Sequence, residues 1–377
     1  MLNDPAIHTR SDGIDFMRAV LALWVMFTHL VPWAGVTGQH VPALLRYAME
    51  GLLRLFQPDG ELHPAVLGFI VLSGYCIHRG GARKGGFNLR SFAVRRLFRI
   101  LPVFVLATAA GAGVFLFCRP IDPKMLTTLT GTSDITIVGL AAKLSGLSAF
   151  IPRLHAPGFQ GNAPLATVMA EIWLYVFYAA AAAAFYRGLA ERRFWTGVIA
   201  VFILTLLIVR HTGGATVSWW QNGSFISFML YWWIGAAFVG RGLPGACRRN
   251  LPYLIGGWTL LTLVIFLGAH DMIITEARKF LYALLFGLVI VRLDGRQDAV
   301  FRLAAPIGRA GYSIYAFHAP ILVLCLLLGA AWDVTAAAAI AGGMMFYRCY
   351  EKPLTRRGKN RRSASSCRTP LSPPAAL

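Results

Sequence analysis

The sequence predicts an all-α, polytopic transmembrane helical bundle of about ten spans, with the N- and C-termini in the cytoplasm. Of its 377 residues, 57% are hydrophobic and 14% are charged. A soluble domain carries about 25% charged residues, so this chain has too few polar side chains to cover a water-soluble body. The distribution of Lys and Arg along the chain is a second, independent indication of a membrane protein.

Long apolar stretches define the predicted elements in chain order. A spanning helix needs about 20 mostly apolar residues. An eleventh stretch, 135–151, contains Lys143 among several Gly and Ser residues, and we expect a re-entrant or interfacial helix there. No small-residue cleavage site follows the first stretch, so no cleavable signal peptide is expected. Ten stretches are predicted to span, at 14–34, 64–79, 97–118, 164–186, 194–210, 224–240, 253–269, 276–293, 311–330 and 332–350.

The basic residues support this topology. With a cytoplasmic N-terminus, three quarters of the 36 Lys and Arg residues fall in inner loops and the tail. Such a bias is the positive-inside signal, and counting 135–151 as a full span would destroy it. The net charge of +20 is also compatible with nucleic-acid binding. Because the charge is spread over every inner loop, we expect no nucleic-acid partner.

A single membrane domain is predicted over residues 1–353. Residues 354–377 are basic and rich in Ser, Pro and Ala towards the end, which predicts a disordered cytoplasmic tail. The six cysteines form no CxxC pair, zinc spacing or disulfide framework. We therefore expect free thiols and no bound metal, with any chemistry performed by the spans and their loops.

Ionisable side chains within the first span are functional candidates, because each costs about 2.5–3.5 kcal/mol at mid-membrane on insertion scales. Arg18 and His29 are eleven positions apart, which places them on one helix face, about 16 Å apart along the axis. Asp15, one turn before Arg18, can pair with it. An imidazole is a suitable general base near neutral pH. His29 is therefore a candidate base, and the alternative is a hydrogen bond to a neighbouring helix.

Two further spans carry candidate groups. Glu171 is expected at a depth similar to that of His29, where a carboxylate could orient the imidazole, and the sequence leaves their contact open. Arg96 and Arg99 lie one turn apart on one face at the cytoplasmic interface. Two guanidinium groups can bind phosphates, although lipid headgroups are the alternative ligand.

Ser73 and His318 are supporting candidates. Ser73 belongs to a Ser-Gly pair that serves either close helix packing or substrate contact. His318 precedes an Ala-Pro step, and a structural role is the simpler interpretation.

In order and spacing, these motifs resemble those of the acyltransferase-3 family of integral membrane proteins, which O-acylate lipopolysaccharide, exopolysaccharides and related glycans. The resemblance covers about residues 10–353. Phe16 stands where the family often has Gly, and Ala166 where it usually has Trp. The matching residues are Asp15, Arg18 with His29, 69–75, Arg96 with Arg99, Glu171 with Tyr175, 312–320 and 350–353.

The resemblance implies a bacterial inner-membrane enzyme that transfers an acyl group, expected to be acetyl, from cytoplasmic acyl-CoA to a glycan hydroxyl. His29 is implied as the base or acyl relay with Glu171 in support, and Arg18 as the contact to the donor thioester. Arg96 and Arg99 are implied to hold the phosphates of the donor. The implied supporting residues are Asp15, Ser73, Tyr175 and His318.

The expected partners are acyl-CoA, a glycan acceptor and the lipid bilayer. Acyl-CoA acts as a substrate, no permanently bound cofactor is expected, and the oligomeric state is open. Acceptor selectivity is expected in the outer segments 35–64 and 118–163. A competing class is a glycan or small-molecule transporter or flippase, in which Arg18, His29 and Glu171 line a path. A third hypothesis is a degenerate member that acts only as a partner subunit.

Overall fold

The computed structural model describes residues 11–58, 62–82, 89–155, 158–186, 191–240 and 242–356. These residues are 83% helical and contain no strand, which confirms the all-α class. The α-helices of the described chain are α1 (Asp12–Val36), α2 (Ala43–Phe56), α3 (Pro64–Ala82), α4 (Leu89–Cys118), α5 (Pro123–Thr130), α6 (Ile137–Leu144), α7 (Leu165–Tyr186), α8 (Glu191–Thr212), α9 (Ala215–Asn222), α10 (Phe225–Ala237), α11 (Gly242–Arg249), α12 (Leu251–Phe266), α13 (Met272–Leu293), α14 (Ala299–Arg309), α15 (Gly311–Leu327) and α16 (Trp332–Phe346).

Each of the ten predicted stretches overlaps one of these helices. By length and composition, four helices of the described chain can cross a membrane, in α1, α4, α7 and α8. The number rises to six if two bent pairs are each counted as one span, one of them α14 with α15 at 57°. The count of ten spans and the cytoplasmic location of both termini stay predictions.

The stretch at 135–151 contains only the eight-residue α6 and a short 3-10 turn, Leu147–Ala149. Eight residues rise about 12 Å, so α6 is too short to cross a bilayer, as expected. After α16 the chain continues through a π turn, Tyr347–Glu351, to helical residues 352–356. The predicted disordered tail lies outside the described residues from 357 onwards.

Glycines allow the central helices to approach closely. A Cβ atom at Gly74 of α3 would lie 1.9 Å from the carbonyl oxygen of Trp232, and one at Gly235 of α10 would lie 1.9 Å from that of Val71. Small residues of this kind let backbones pack closely in membrane bundles. The Ser-Gly pair in α3 therefore serves helix packing through Gly74, which leaves the side chain of Ser73 for other contacts.

α1 packs against α3, α14 and α15. By contrast, α8 presents apolar side chains outwards, and Ile203, Leu204 and Leu207 are each about half exposed, at 48%, 61% and 47%. Because lipid tails are as apolar as Leu, such a face suits the bilayer. This packing places the polar face of α1 inside the bundle.

Candidate active site

A cavity of about 280 Å³ lies between α1, α3, α4, α7 and α15. Its wall combines apolar side chains with three guanidinium groups, a carboxylate, a thiol and several hydroxyls. The lining residues are Arg18, Val66, Phe69, Ile70, Leu72, Ser73, Cys76, Ile77, Arg96, Arg99, Ile100, Thr167, Val168, Glu171, Tyr175, Gly311, Tyr312 and Tyr315. The tertiary structure thus collects Arg18, Arg96, Arg99 and Glu171, which the sequence marks on three separate helices.

Arg18 reaches the cavity from α1 and is held by its own helix. Its Nη1 donates to Oδ1 of Asp15 at 2.9 Å, and Asp15 is 1% exposed. Nη2 donates to the Sγ atom of Cys76 at 3.4 Å. The pairing expected from the spacing of Asp15 and Arg18 is therefore present, and it aims one guanidinium at the cavity.

The two arginines of α4 differ in their partners. Arg99 lies 3.6 Å from Glu351, a buried carboxylate that also accepts a hydrogen bond from Ser313. Arg96 instead lies over the rings of Phe92 and Tyr175, at 5.8 Å and 5.2 Å. Its Nε is buried and has no hydrogen-bond partner within the described chain. The terminal guanidinium nitrogens of Arg96 also form no hydrogen bond within the described chain, so Arg96 retains N–H donors for an anion in the cavity.

Glu171 is the last acceptor in a chain of hydrogen bonds that runs through side chains of α10, α3 and α7. The Tyr175 hydroxyl donates to Glu171, and Ser73 lies 3.0 Å from the same hydroxyl oxygen. Because Tyr175 uses its proton on Glu171, Ser73 is the donor in the second bond. The Nε1 of Trp232 donates to Ser73 at 3.3 Å. These contacts hold the carboxylate on the cavity wall.

His29 lies outside the set of lining residues and pairs with another histidine. Its Nδ1 is 2.9 Å from Nε2 of His318, and the two ring planes are 5° apart. The ring centroids are 5.1 Å apart, so the rings meet edge to edge. One face of the His29 ring stacks against Trp33, with ring centroids 5.2 Å apart. None of the contacts described for His29 involves Glu171.

Tyr315 connects the cavity with the histidine pair. Its ring lines the cavity and lies 5.8 Å from the ring of His318. Its hydroxyl oxygen is 2.7 Å from Oγ1 of Thr167 and 3.1 Å from the carbonyl oxygen of Pro164. Tyr315 is therefore a cavity-lining residue that also packs against His318, and its hydroxyl is anchored to Pro164 and to Thr167 of α7.

A family model described as an acyltransferase domain matches residues 11–350, which includes every cavity-lining helix. The chain belongs to the acyltransferase-3 family. The resemblance carried by its motifs is thereby confirmed, and the protein is a membrane acyltransferase in its general class. Neither the curated proteins nor the solved structures contain a match to this acyltransferase.

The cavity of this acyltransferase also contains polar groups for which the motifs assigned no role. Cys76 directly follows the segment at 69–75, and Tyr312 and Tyr315 lie within the segment at 312–320. Their proximity to these motifs could have marked them as site residues. Thr167 has no sequence signal, because an isolated Thr in an apolar helix is common. Within the described chain, no group of three His, Cys, Asp or Glu side chains is placed to bind a metal.

Proposed function

We propose that this acyltransferase moves an acyl group, expected to be acetyl, from cytoplasmic acyl-CoA to a hydroxyl of a cell-envelope glycan at the bacterial inner membrane. One observation carries the proposal: Tyr315, which lines the arginine-containing cavity, also packs against His318, the hydrogen-bond partner of His29. The arginines of the cavity suit an anionic donor, and the histidine pair suits removal of a proton from an alcohol.

The donor end follows from the partners of the arginines. Guanidinium groups bind phosphates through two parallel N–H bonds. Arg96, which has unused donors, would take a phosphate of the donor, with Arg99 beside it. Arg18 would order the polar cavity and contact the donor on the cytoplasmic side of its thioester. Because Arg18 and His29 are about 16 Å apart along α1, the donor must extend along the cavity.

At the acceptor end, His29 would remove the proton of a glycan hydroxyl as its oxygen attacks the thioester carbonyl. A C–O bond then forms, the C–S bond breaks, and the proton passes to the departing thiolate. Glu171 has no contact with His29 within the described chain. It would therefore support His29 from a distance, from the cavity wall on which Tyr175 and Ser73 hold its carboxylate.

The first prediction concerns His29. His29→Ala should lower acyl transfer by about 10²–10⁴-fold, the usual contribution of a general base, while membrane insertion stays normal. Transfer is measured with radiolabelled acetyl-CoA in membrane vesicles, and glycan esters by mass spectrometry. His40→Ala is the matched control, because His40 is exposed and outside the cavity. Full activity of His29→Ala would remove the assigned role.

The same experiment separates the enzyme from a transporter. Loss of glycan esters in a deletion strain, restored by the wild-type chain, supports acyl transfer. Normal esters on a glycan that is missing from the surface or trapped inside would instead support a flippase or transporter.

A further inference from the structure

The proton positions in the histidine pair follow from its hydrogen-bond partners. Nδ1 of His318 lies 2.7 Å from the backbone carbonyl oxygen of Tyr315. A carbonyl oxygen only accepts, so Nδ1 carries a proton. His318 is 0% exposed, and no carboxylate contacts it within the described chain. Because a buried unpaired charge is costly, the ring is neutral and its Nε2 has a lone pair.

The lone pair of His318 determines the tautomer of His29. Since Nε2 of His318 is an acceptor, the bond of 2.9 Å requires Nδ1 of His29 to be the donor. The other nitrogen of a neutral His29, Nε2, then holds the lone pair. Among the described contacts Nε2 has no hydrogen-bond partner. It is therefore the atom that can accept a proton.

The backbone around His318 is anchored to neighbouring helices. Pro320 has no N–H, so the carbonyl of Ala316 lacks its usual partner within α15. Nδ2 of Asn162 donates to that carbonyl at 2.9 Å and to the carbonyl of Ala107 in α4 at 3.1 Å. Together with the bonds of the Tyr315 hydroxyl to Thr167 and Pro164, these contacts fix α15, and hence the ring of His318, against α4 and the start of α7.

We infer that His318 is a positioning residue that holds His29 in the tautomer whose Nε2 accepts the proton of the acceptor hydroxyl. The inference rests on the proposed function, in which His29 is the base. When His29 takes the proton, its Nδ1–H bond to His318 becomes charge-assisted and therefore stronger. The neutral imidazole of His318 thus orients His29 as a carboxylate orients the histidine of a Ser-His-Asp triad. The proton then leaves Nε2 for the departing thiolate, and the pair returns to its starting state.

Two amide substitutions at position 318 separate the two hydrogen bonds of the ring. In His318→Gln, the longer side chain can place its amide oxygen near the position of Nε2, where it accepts from His29. In His318→Asn, the amide NH₂ can still donate to the Tyr315 carbonyl, but no atom reaches His29. The two variants therefore differ in the acceptor that the inference requires.

The test measures kcat, KM for acetyl-CoA and thermal unfolding for both variants in the full-length membrane protein. We expect His318→Gln to stay within about tenfold of the wild-type kcat. His318→Asn should lose about 10²–10⁴-fold in kcat with KM unchanged, at equal membrane abundance. Equal kcat values in the two folded variants overturn the inference. Should His318→Asn fail to accumulate, a folded His318→Gln below about one-hundredth of wild-type kcat overturns it alone.

The failure of the proposed function is distinguishable from this result. If His29→Ala keeps full activity, the assigned base is wrong whatever the variants of His318 do. If His29→Ala is inactive and both variants of His318 are equally active, only the positioning role fails.

Discussion

Two buried polar regions of this acyltransferase look alike in sequence and differ in structure. The cavity contains Arg96, whose Nε has no hydrogen-bond partner in the described chain. In α13, by contrast, Glu276 and Lys279 form a buried ion pair, 4% and 3% exposed, and Glu276 also accepts from Trp220 and Tyr231. None of the cavity-lining residues belongs to this second cluster.

The comparison teaches that an intramembrane charge is not by itself a site. The rule that such residues are functional by default marks Glu276 and Lys279 as strongly as it marks Arg96. The difference lies in whether each charge is already satisfied by the protein and whether open volume adjoins it. The cluster of Glu276 stabilises the contact of α13 with α9 and α10, whereas the cavity keeps donors for a ligand.

The largest expected effect tests the cluster of Glu276. Glu276→Leu leaves Lys279 buried without its carboxylate, and breaking a buried pair in this way costs about 3–5 kcal/mol. Thermal unfolding in detergent should show the loss, and transfer per folded molecule should stay near wild type. The control is Glu50→Leu, because Glu50 and Arg46 form an exposed pair worth about 0–1 kcal/mol. Equal unfolding temperatures in the two variants would contradict the structural role.

The next effect tests the open cavity. Arg96→Met removes hydrogen bonds to a charged ligand, each worth about 1.5–3 kcal/mol, so KM for acetyl-CoA should rise by about 10–100-fold. The unfolding temperature is measured in parallel, because the guanidinium of Arg96 also packs on the rings of Phe92 and Tyr175. Arg248→Met, at an exposed basic residue outside the cavity, is the control. An unchanged KM would argue against donor binding by Arg96.

The smallest effect concerns a partly buried polar group, His155, which lies outside the predicted spans and the cavity. Burial, with a smaller contribution from Lys143, lowers the pKa of His155 to about 4. The unfolded chain therefore binds the proton more readily than the folded protein between pH 6.5 and 4, and stability falls as pH decreases through this window. His155→Gln should recover about 1–2 kcal/mol at pH 4.5, a value discounted for partial exposure.

Unfolding temperatures at pH 7 and pH 4.5 check this prediction. His40→Gln, at an exposed histidine, should leave the acid-induced loss of stability as it is. If His155→Gln loses as much stability on acidification as the wild type, His155 does not cause the effect.

Contacts within one helix were predictable, because helix geometry alone determines them. Asp15 and Arg18 lie one turn apart and pair at 2.9 Å, as the spacing predicts. The same periodicity places Arg18 and His29 on one face of α1. Apolar length predicted a helix at each of the ten apolar stretches, since backbone groups in lipid must be satisfied within the segment.

Contacts between helices were not predictable, because they depend on which faces meet and at what depth. Glu171 was the expected neighbour of His29, with their contact left open, yet His318, 289 positions away, is the residue that bonds it. The cluster of Glu276 was missed for the same reason. The amino-acid sequence alone determined the helices, the family and the polar face of α1. The tertiary structure decided which polar groups meet, because close packing at glycines such as Gly74 and anchoring by Asn162 set the approach of the helices.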